Sequence, residues 1–380
     1  MQQRSFSIIE SASAAVRLDR AAAFLDRFPP HQPITVVAAT RGAADDLARR
    51  VAVHRGATLG VSRFSLTQLA ARVAATRLAG QGIAPSTALG VEAVASRVAF
   101  DAAEGRTLDY FGVVARTPGF PRALARTLTD VRLAGIPAAS LVGAGRAGHD
   151  LADLVEQAEA ELTDASTADR AALFASATEG VGGEGFLRAP MLLVDLPIET
   201  AMEEAFVRAL TSVATDVLAT LPAHDLPARL ALERCGGSVE AVAMPRLSDL
   251  DRLRACLFSD EAPDPHAPDK SVEFFSAPGE GRECVEIARR ILREARKGVP
   301  FDEMAVFVRS PEHYHGLLEH AFERAGVRAW FDRGARRPHP AGRAFLALLA
   351  CAAEGLSASR FAEYLSLGQL PEPEATHRFC

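Results

Sequence analysis

The sequence predicts an α/β protein built on parallel sheets, and three observations predict it. Short apolar runs alternate with helix-length amphipathic stretches from residue 6 to 75 and again from 271 to 331. The runs ITVVA (Ile34 to Ala38), MLLV (Met191 to Val194) and MAVFV (Met304 to Val308) are apolar almost throughout, as in strands covered on both faces. Between 85 and 189 the pattern turns almost wholly helical, an excursion between two strand–helix segments. Strands joined through helices of this length imply right-handed crossovers.

The elements follow in order. Phe6 to Ile9 reads as a first strand, and Ser13 to Phe28 as a helix with Val16, Leu18, Ala22 and Leu25 on its apolar side. After the second strand, Ile34 to Ala38, Thr40-Arg41-Gly42 leads into a helix through Leu47 and Val51. Val61 to Phe64 is a brief strand, and Ser65 with Gln68 three residues later has the form of a capping box. The excursion holds Val91 to Phe100, Pro121 to Gly135 and Asp150 to Ala165, punctuated by Thr117-Pro118-Gly119, Ile136-Pro137 and Val181-Gly182-Gly183. The strand from Met191 ends in Asp195, and Glu199, Glu203 and Glu204 on the following helix are expected to face solvent. Val217 to Leu221 closes this part, and the stretch after it is weakly patterned. Residues 257 to 270, rich in Pro, Asp and Ala, have the composition of an exposed linker.

The second part starts with Val272 to Phe275. A helix with Cys284, Ala288, Ile291 and Ala295 on one face follows and stops at Gly298 and Pro300. Met304 to Val308 is the next strand. Ser310-Pro311 suits a cap followed by proline at the first helical position. That helix carries Leu317, Leu318, Ala321 and Phe322 to Gly326, Val327 to Phe331 is a third strand, and a helical block runs from Arg343 to Leu367.

Composition narrows the function. With 48% hydrophobic and 24% charged residues the chain reads as an ordinary soluble protein, and cytoplasmic localisation is expected. A net charge of −6 gives no global attraction to nucleic acid, so any such contact must come from local patches. No run approaches the roughly 20 apolar residues of a membrane helix, so no membrane partner is expected. Cys235, Cys256, Cys284, Cys351 and Cys380 are scattered without metal-ligand spacing. The only lysines are Lys270 and Lys297, so nothing before residue 270 can be the lysine of a phosphate-binding loop.

Specific phrases carry a resemblance. ATRGAADDLARRV followed by SRFSLTQLAARVA resembles the opening of the first motor domain in AddB-type proteins. Glu280, Arg282-Glu283, the AVFVR strand ending at Arg309, Tyr314 and Ala325-Gly326-Val327 resemble the start of the second motor domain of UvrD-like superfamily-1 helicases. The resemblance implies two RecA-like (P-loop NTPase-like) parallel-sheet domains with all-helical insertions. Residues 1–260 would form the first domain, with its insertion at about 85–189, and 261–270 a linker. Residues 271–340 would start the second domain and 341–380 its insertion. The implied setting is processing of double-strand DNA ends in recombinational repair by a helicase–nuclease. Single-stranded or duplex DNA and a helicase–nuclease subunit would be its partners.

The family uses ATP and Mg²⁺, and here the chain departs from it. The first strand–helix turn, Glu10-Ser11-Ala12-Ser13, has no glycine and no lysine, and Glu10 would repel phosphate. Ser11 and Ser13 read more readily as helix caps than as magnesium ligands. Asp195 has the position of a magnesium-binding acid, but Leu196 stands where the family has the glutamate that orients water. No catalytic residue is assigned, no cofactor is expected, and no PD-(D/E)XK nuclease motif occurs. The resemblance places Arg309 in the nucleotide cleft, free to pair instead with Asp195 or Glu10. Arg41 and Arg63 are the first-domain candidates for DNA, and Arg333, Arg336 and Arg337, beside Trp330 and Phe331, those of the second; a plain surface loop is the simpler reading of this last cluster. Arg116, Arg122, Arg126 and Arg132 could touch duplex, although solvated helix faces explain them more simply. The other reading is an unrelated α/β enzyme with a nucleotide or small-molecule pocket at the strand C-termini, anchored by Asp195 or Arg309.

Overall fold

A computed structural model of the chain describes residues 5–243, 248–260, 262, 265, 267–332 and 340–367. Two compact units divide between Val272 and Glu273. The first begins β1 (Phe6–Ser11), α1 (Ala14–Asp26), β2 (Ile34–Ala38), α2 (Arg41–Arg55), β3 (Val61–Ser65) and α3 (Leu66–Gly80). Each helix starts where its side chains dictate. Ser13 accepts from the Val16 N–H and Thr40 from the Ala43 N–H, while Ser65 and Gln68 form the reciprocal capping box.

Next come β4 (Ala84–Pro85), α4 (Ala88–Gly105), α5 (Phe120–Leu133), α6 (Ala138–Leu141), α7 (Gly145–Asp164) and β5 (Thr167–Ala168). The two-residue strands β4 and β5 pair in parallel and close the neck of the excursion. Above it, Val98, Leu124, Leu128, Leu154 and Val155 make a separate core. The chain returns to the sheet through α8 (Arg170–Gly180), β6 (Met191–Val194), α9 (Ala201–Val213) and β7 (Val217–Pro222). α8 packs with α3 and α9 in the core beneath the sheet, through Leu173, Phe174 and Ala177.

The weakly patterned stretch after β7 holds α10 (Leu226–Arg234), β8 (Ser238–Ala241) and α11 (Asp249–Cys256). β8 is the edge strand the sequence does not announce, since its side chains are mostly exposed. The sheet has six strands, all parallel, in the order β3-β2-β6-β7-β1-β8. Alternate residues serve opposite faces. Ile9, Val36, Leu192 and Leu218 pack under α1 and α2, and Ile8, Val37, Leu193 and Ala219 pack against α3, α8, α9 and α10. The protein is therefore α/β with a parallel central sheet covered on both faces.

The second unit contains α12 (Glu280–Arg296), α13 (Pro311–Ala325), α14 (Pro340–Ala353) and α15 (Ala358–Leu367). Cys284, Ala288, Leu318 and Phe322 form its small core between α12 and α13, joined by Val308, Val327 and Phe331. Pro311 opens α13 as expected, but Ser310 makes no side-chain cap. The expected second parallel sheet is not formed among the described residues: residues 272–275, 304–308 and 327–331 form no ladder. A parallel sheet needs cover on both faces. Two helices supply one face only, and Phe274, Phe307 and Trp330 stand almost fully in solvent.

Candidate functional site

In an open parallel sheet, ligands bind beyond the strand C-termini where successive helices depart to opposite faces. Here α1 leaves β1 on one face and α10 leaves the neighbouring β7 on the other, so the β1–β7 boundary is such a point. Asp195 lies one strand away, at the end of β6. Its backbone is left-handed (φ 45°), a conformation that aspartate tolerates better than most residues.

The Asp195 carboxylate is occupied by the chain itself. Arg17, in the second turn of α1, binds it through both prongs of its guanidinium, Nε to Oδ1 at 2.9 Å and Nη2 to Oδ2 at 3.0 Å. Nη1 of Arg17 donates to the Ser11 carbonyl at 2.5 Å. The Thr220 hydroxyl donates to Asp195 Oδ1 at 2.8 Å and accepts the Asp195 N–H at 3.1 Å. The Arg17 side chain is only 8% exposed. A forked, charge-assisted pair of this kind is geometrically specific.

The residues around it are equally committed. Ser11 Oγ accepts the Ser13 N–H at 3.3 Å, and Ser13 Oγ accepts the Val16 N–H at 3.4 Å, so both hydroxyls act in the turn and the cap. Glu10 pairs with Arg229 of α10 at 3.2 Å. Leu196, next to Asp195, is buried in the core. Asp195 and Glu10, the acids considered as partners for Arg309, each hold an arginine of their own unit, and the Arg309 side chain is exposed.

The sequence leaves Arg17 and Thr220 unnoticed. The available signal was an arginine early in the helix after β1, and one threonine in the otherwise apolar strand VLATL. Arg17 and Asp195 are 178 positions apart, so nothing local links them.

Arg41 and Arg63 do come together, Arg41 as the first residue of α2 just past β2 and Arg63 in the middle of β3 rather than at its C-terminal end. Both approach Asp45, Arg41 Nε at 3.1 Å and Arg63 Nε at 3.4 Å. One carboxylate faces two guanidiniums, which leaves one positive charge in excess. Arg333, Arg336 and Arg337 lie outside the described residues.

The helical candidates divide. Arg132 is a structural clamp, which corrects its reading as a solvated helix-face residue: it is 15% exposed and binds Asp169, the N-cap of α8, at 2.6 Å and Glu159 of α7. Its charge is held by these acids, which keep the guanidinium pKa above its usual value against the opposing effect of burial. Arg116 pairs with Glu104, whereas Arg122 and Arg126 are exposed. Arg126 borders an open cleft of about 510 Å³ at the excursion's neck, lined also by Thr87, Val91, Asp169, Arg170 and Leu173.

Glu203, expected in solvent, is buried. It caps the Glu199 and Thr200 N–H groups and binds Arg170 at 2.6 Å. Glu204 is gripped by Arg208 and Arg234.

Among the described residues no cluster of three or more His, Cys, Asp or Glu could hold a metal, and no helix is long and apolar enough to cross a membrane. No protein-family model matches the chain, and no curated protein matches it.

Proposed function

We propose that this chain is a helicase-like DNA-binding scaffold of the AddB and UvrD type, whose first unit is a RecA-like domain that has given up nucleotide turnover. It would serve a helicase–nuclease that processes DNA ends, with single-stranded DNA as its ligand and a partner subunit to complete the assembly. One observation carries the reading: the acid ending β6, at the ligand end of a doubly covered parallel sheet, is bound by Arg17 in place of anything exogenous. The order of the strands supports it, with β7 inserted between β1 and the acid-bearing β6. For the second unit the RecA-like reading rests on sequence, since its apolar segments form no ladder.

A nucleotide triphosphate with Mg²⁺ does not fit the residues present. The turn after β1 spends both serine hydroxyls on its own Ser13 and Val16 N–H groups, Glu10 adds negative charge, and the seat beside Asp195 holds a guanidinium. What remains is grip, from the Arg41–Arg63 pair beside β2 and β3. The competing reading, an enzyme pocket anchored by Asp195 or Arg309, loses the first of these anchors to Arg17.

Titration of a fluorescent single strand against wild type and the Arg41→Gln/Arg63→Gln variant, at several salt concentrations, tests the proposal. Binding should fall with salt, and the variant's log–log slope should be shallower by about 0.7 per lost phosphate contact. The same preparation should release no phosphate from ATP with or without DNA. Salt-independent binding with equal slopes, or DNA-stimulated hydrolysis, would sink the reading.

A further inference from the structure

We infer that Arg17 is a built-in counter-ion that takes the seat of an external cation at Asp195 and keeps the crevice at the ends of β1, β6 and β7 closed without ligand. The ATP and Mg²⁺ that the family resemblance implies do not fit this crevice, and the way they fail to fit defines the device. The Asp195 carboxylate is 27% exposed at the end of a buried strand, and a partly desolvated anion of this kind is stabilised by positive charge beside it. The positive charge can come from a metal ion or from the chain. Here it comes from the chain. Three donors engage both oxygens of the carboxylate, Arg17 Nε and the Thr220 hydroxyl at Oδ1 and Arg17 Nη2 at Oδ2, and the remaining Arg17 prong is tied to the Ser11 carbonyl.

Guanidinium and divalent cation exclude each other at this position. They compete for the same two oxygens, and their charges repel. The arginine also joins three strands that a ligand would otherwise have to bridge. It reaches from α1 to the end of β6, touches the last residue of β1, and shares Asp195 with Thr220 of β7. The arginine therefore ties the ends of these strands together through the chain's own contacts. Removing the guanidinium while leaving Asp195 and Thr220 should expose an oxygen-lined seat that a divalent cation can enter.

This deepens the turnover-free reading of the site, yet its test contains neither DNA nor nucleotide, so failure of one is distinguishable from failure of the other. Thermal melts of wild type, Arg17→Gln and Arg17→Gln/Asp195→Asn are compared in MgCl₂, in MnCl₂ and in NaCl of matched ionic strength. Wild type should show no divalent-specific shift. Arg17→Gln should melt lower by on the order of 5–10 °C, because one partner of a largely buried pair is gone. Millimolar Mg²⁺ or Mn²⁺ should return part of that loss, and NaCl should not. The double variant, with the orphaned charge removed, should melt above the single one and ignore divalent ions. If Arg17→Gln is unfolded in NaCl, the same titration followed by circular dichroism reads refolding. Absence of divalent-specific recovery by either readout overturns the proposal, as does equal recovery in the double variant or divalent stabilisation of wild type.

Discussion

Arg132→Met offers a quantitative test of how the helical excursion is held to the sheet. The Arg132 side chain is 15% exposed and its main partner, Asp169, 7%. Removing one member of such a pair leaves the other buried and unpaired, which costs about 3–5 kcal/mol. Asp169 keeps one compensation, the Ala172 N–H it accepts at 2.9 Å as the cap of α8. The lower end, about 3 kcal/mol, is therefore expected. Glu159 is half exposed and adds at most about 1 kcal/mol. For a folded unit of this size the loss corresponds to a melting point lower by on the order of 6–12 °C. Differential scanning fluorimetry reads the shift, and hydrogen exchange should place it at the neck, around residues 84–87 and 167–172. Adding Asp169→Asn retains a capping oxygen and deletes the orphaned charge, so the double variant should be more stable than Arg132→Met alone. A cost below about 1 kcal/mol, or losses in the double variant that simply add, would refute the clamp. Arg132→Met should leave the salt slope of DNA binding unchanged.

Two further outcomes are expected. Charge removal at Arg336 and Arg337 should flatten the salt slope of single-strand binding by about 1.4, at roughly 0.7 per phosphate, with the melting curve intact; an unchanged slope makes that cluster a solvated loop. Hydrogen bonds from Arg234, joined by Arg208, hold the Glu204 carboxyl below the ordinary glutamate range. A group whose folded pKa is depressed stabilises fully above its unfolded value, roughly 4.3, and loses that contribution as pH falls through the folded value. Wild type should accordingly lose more stability than Glu204→Gln between about pH 5 and 3 in urea titrations, and parallel losses would contradict this.

What the sequence determined by itself is what a few neighbouring residues can decide. Ser13, Thr40 and the Ser65–Gln68 box set helix starts from partners three residues away, and ITVVA and MLLV became central strands because such runs need cover on both faces. The absence of lysine before residue 270 was equally plain in the sequence. Tertiary structure alone decided the rest. The exposed residues of β8 form a strand only because β1 offers a free edge, while the strongly apolar MAVFV run forms none, because a ladder depends on a partner strand and a covered far face. Glu203 looked like a surface acid until α9 docked beside Arg170. Arg17 shows the reason most directly: pattern in one helix states how an arginine is spaced, but its charge is answered by Asp195, 178 residues away, only once the sheet has brought the ends of β1, β6 and β7 together.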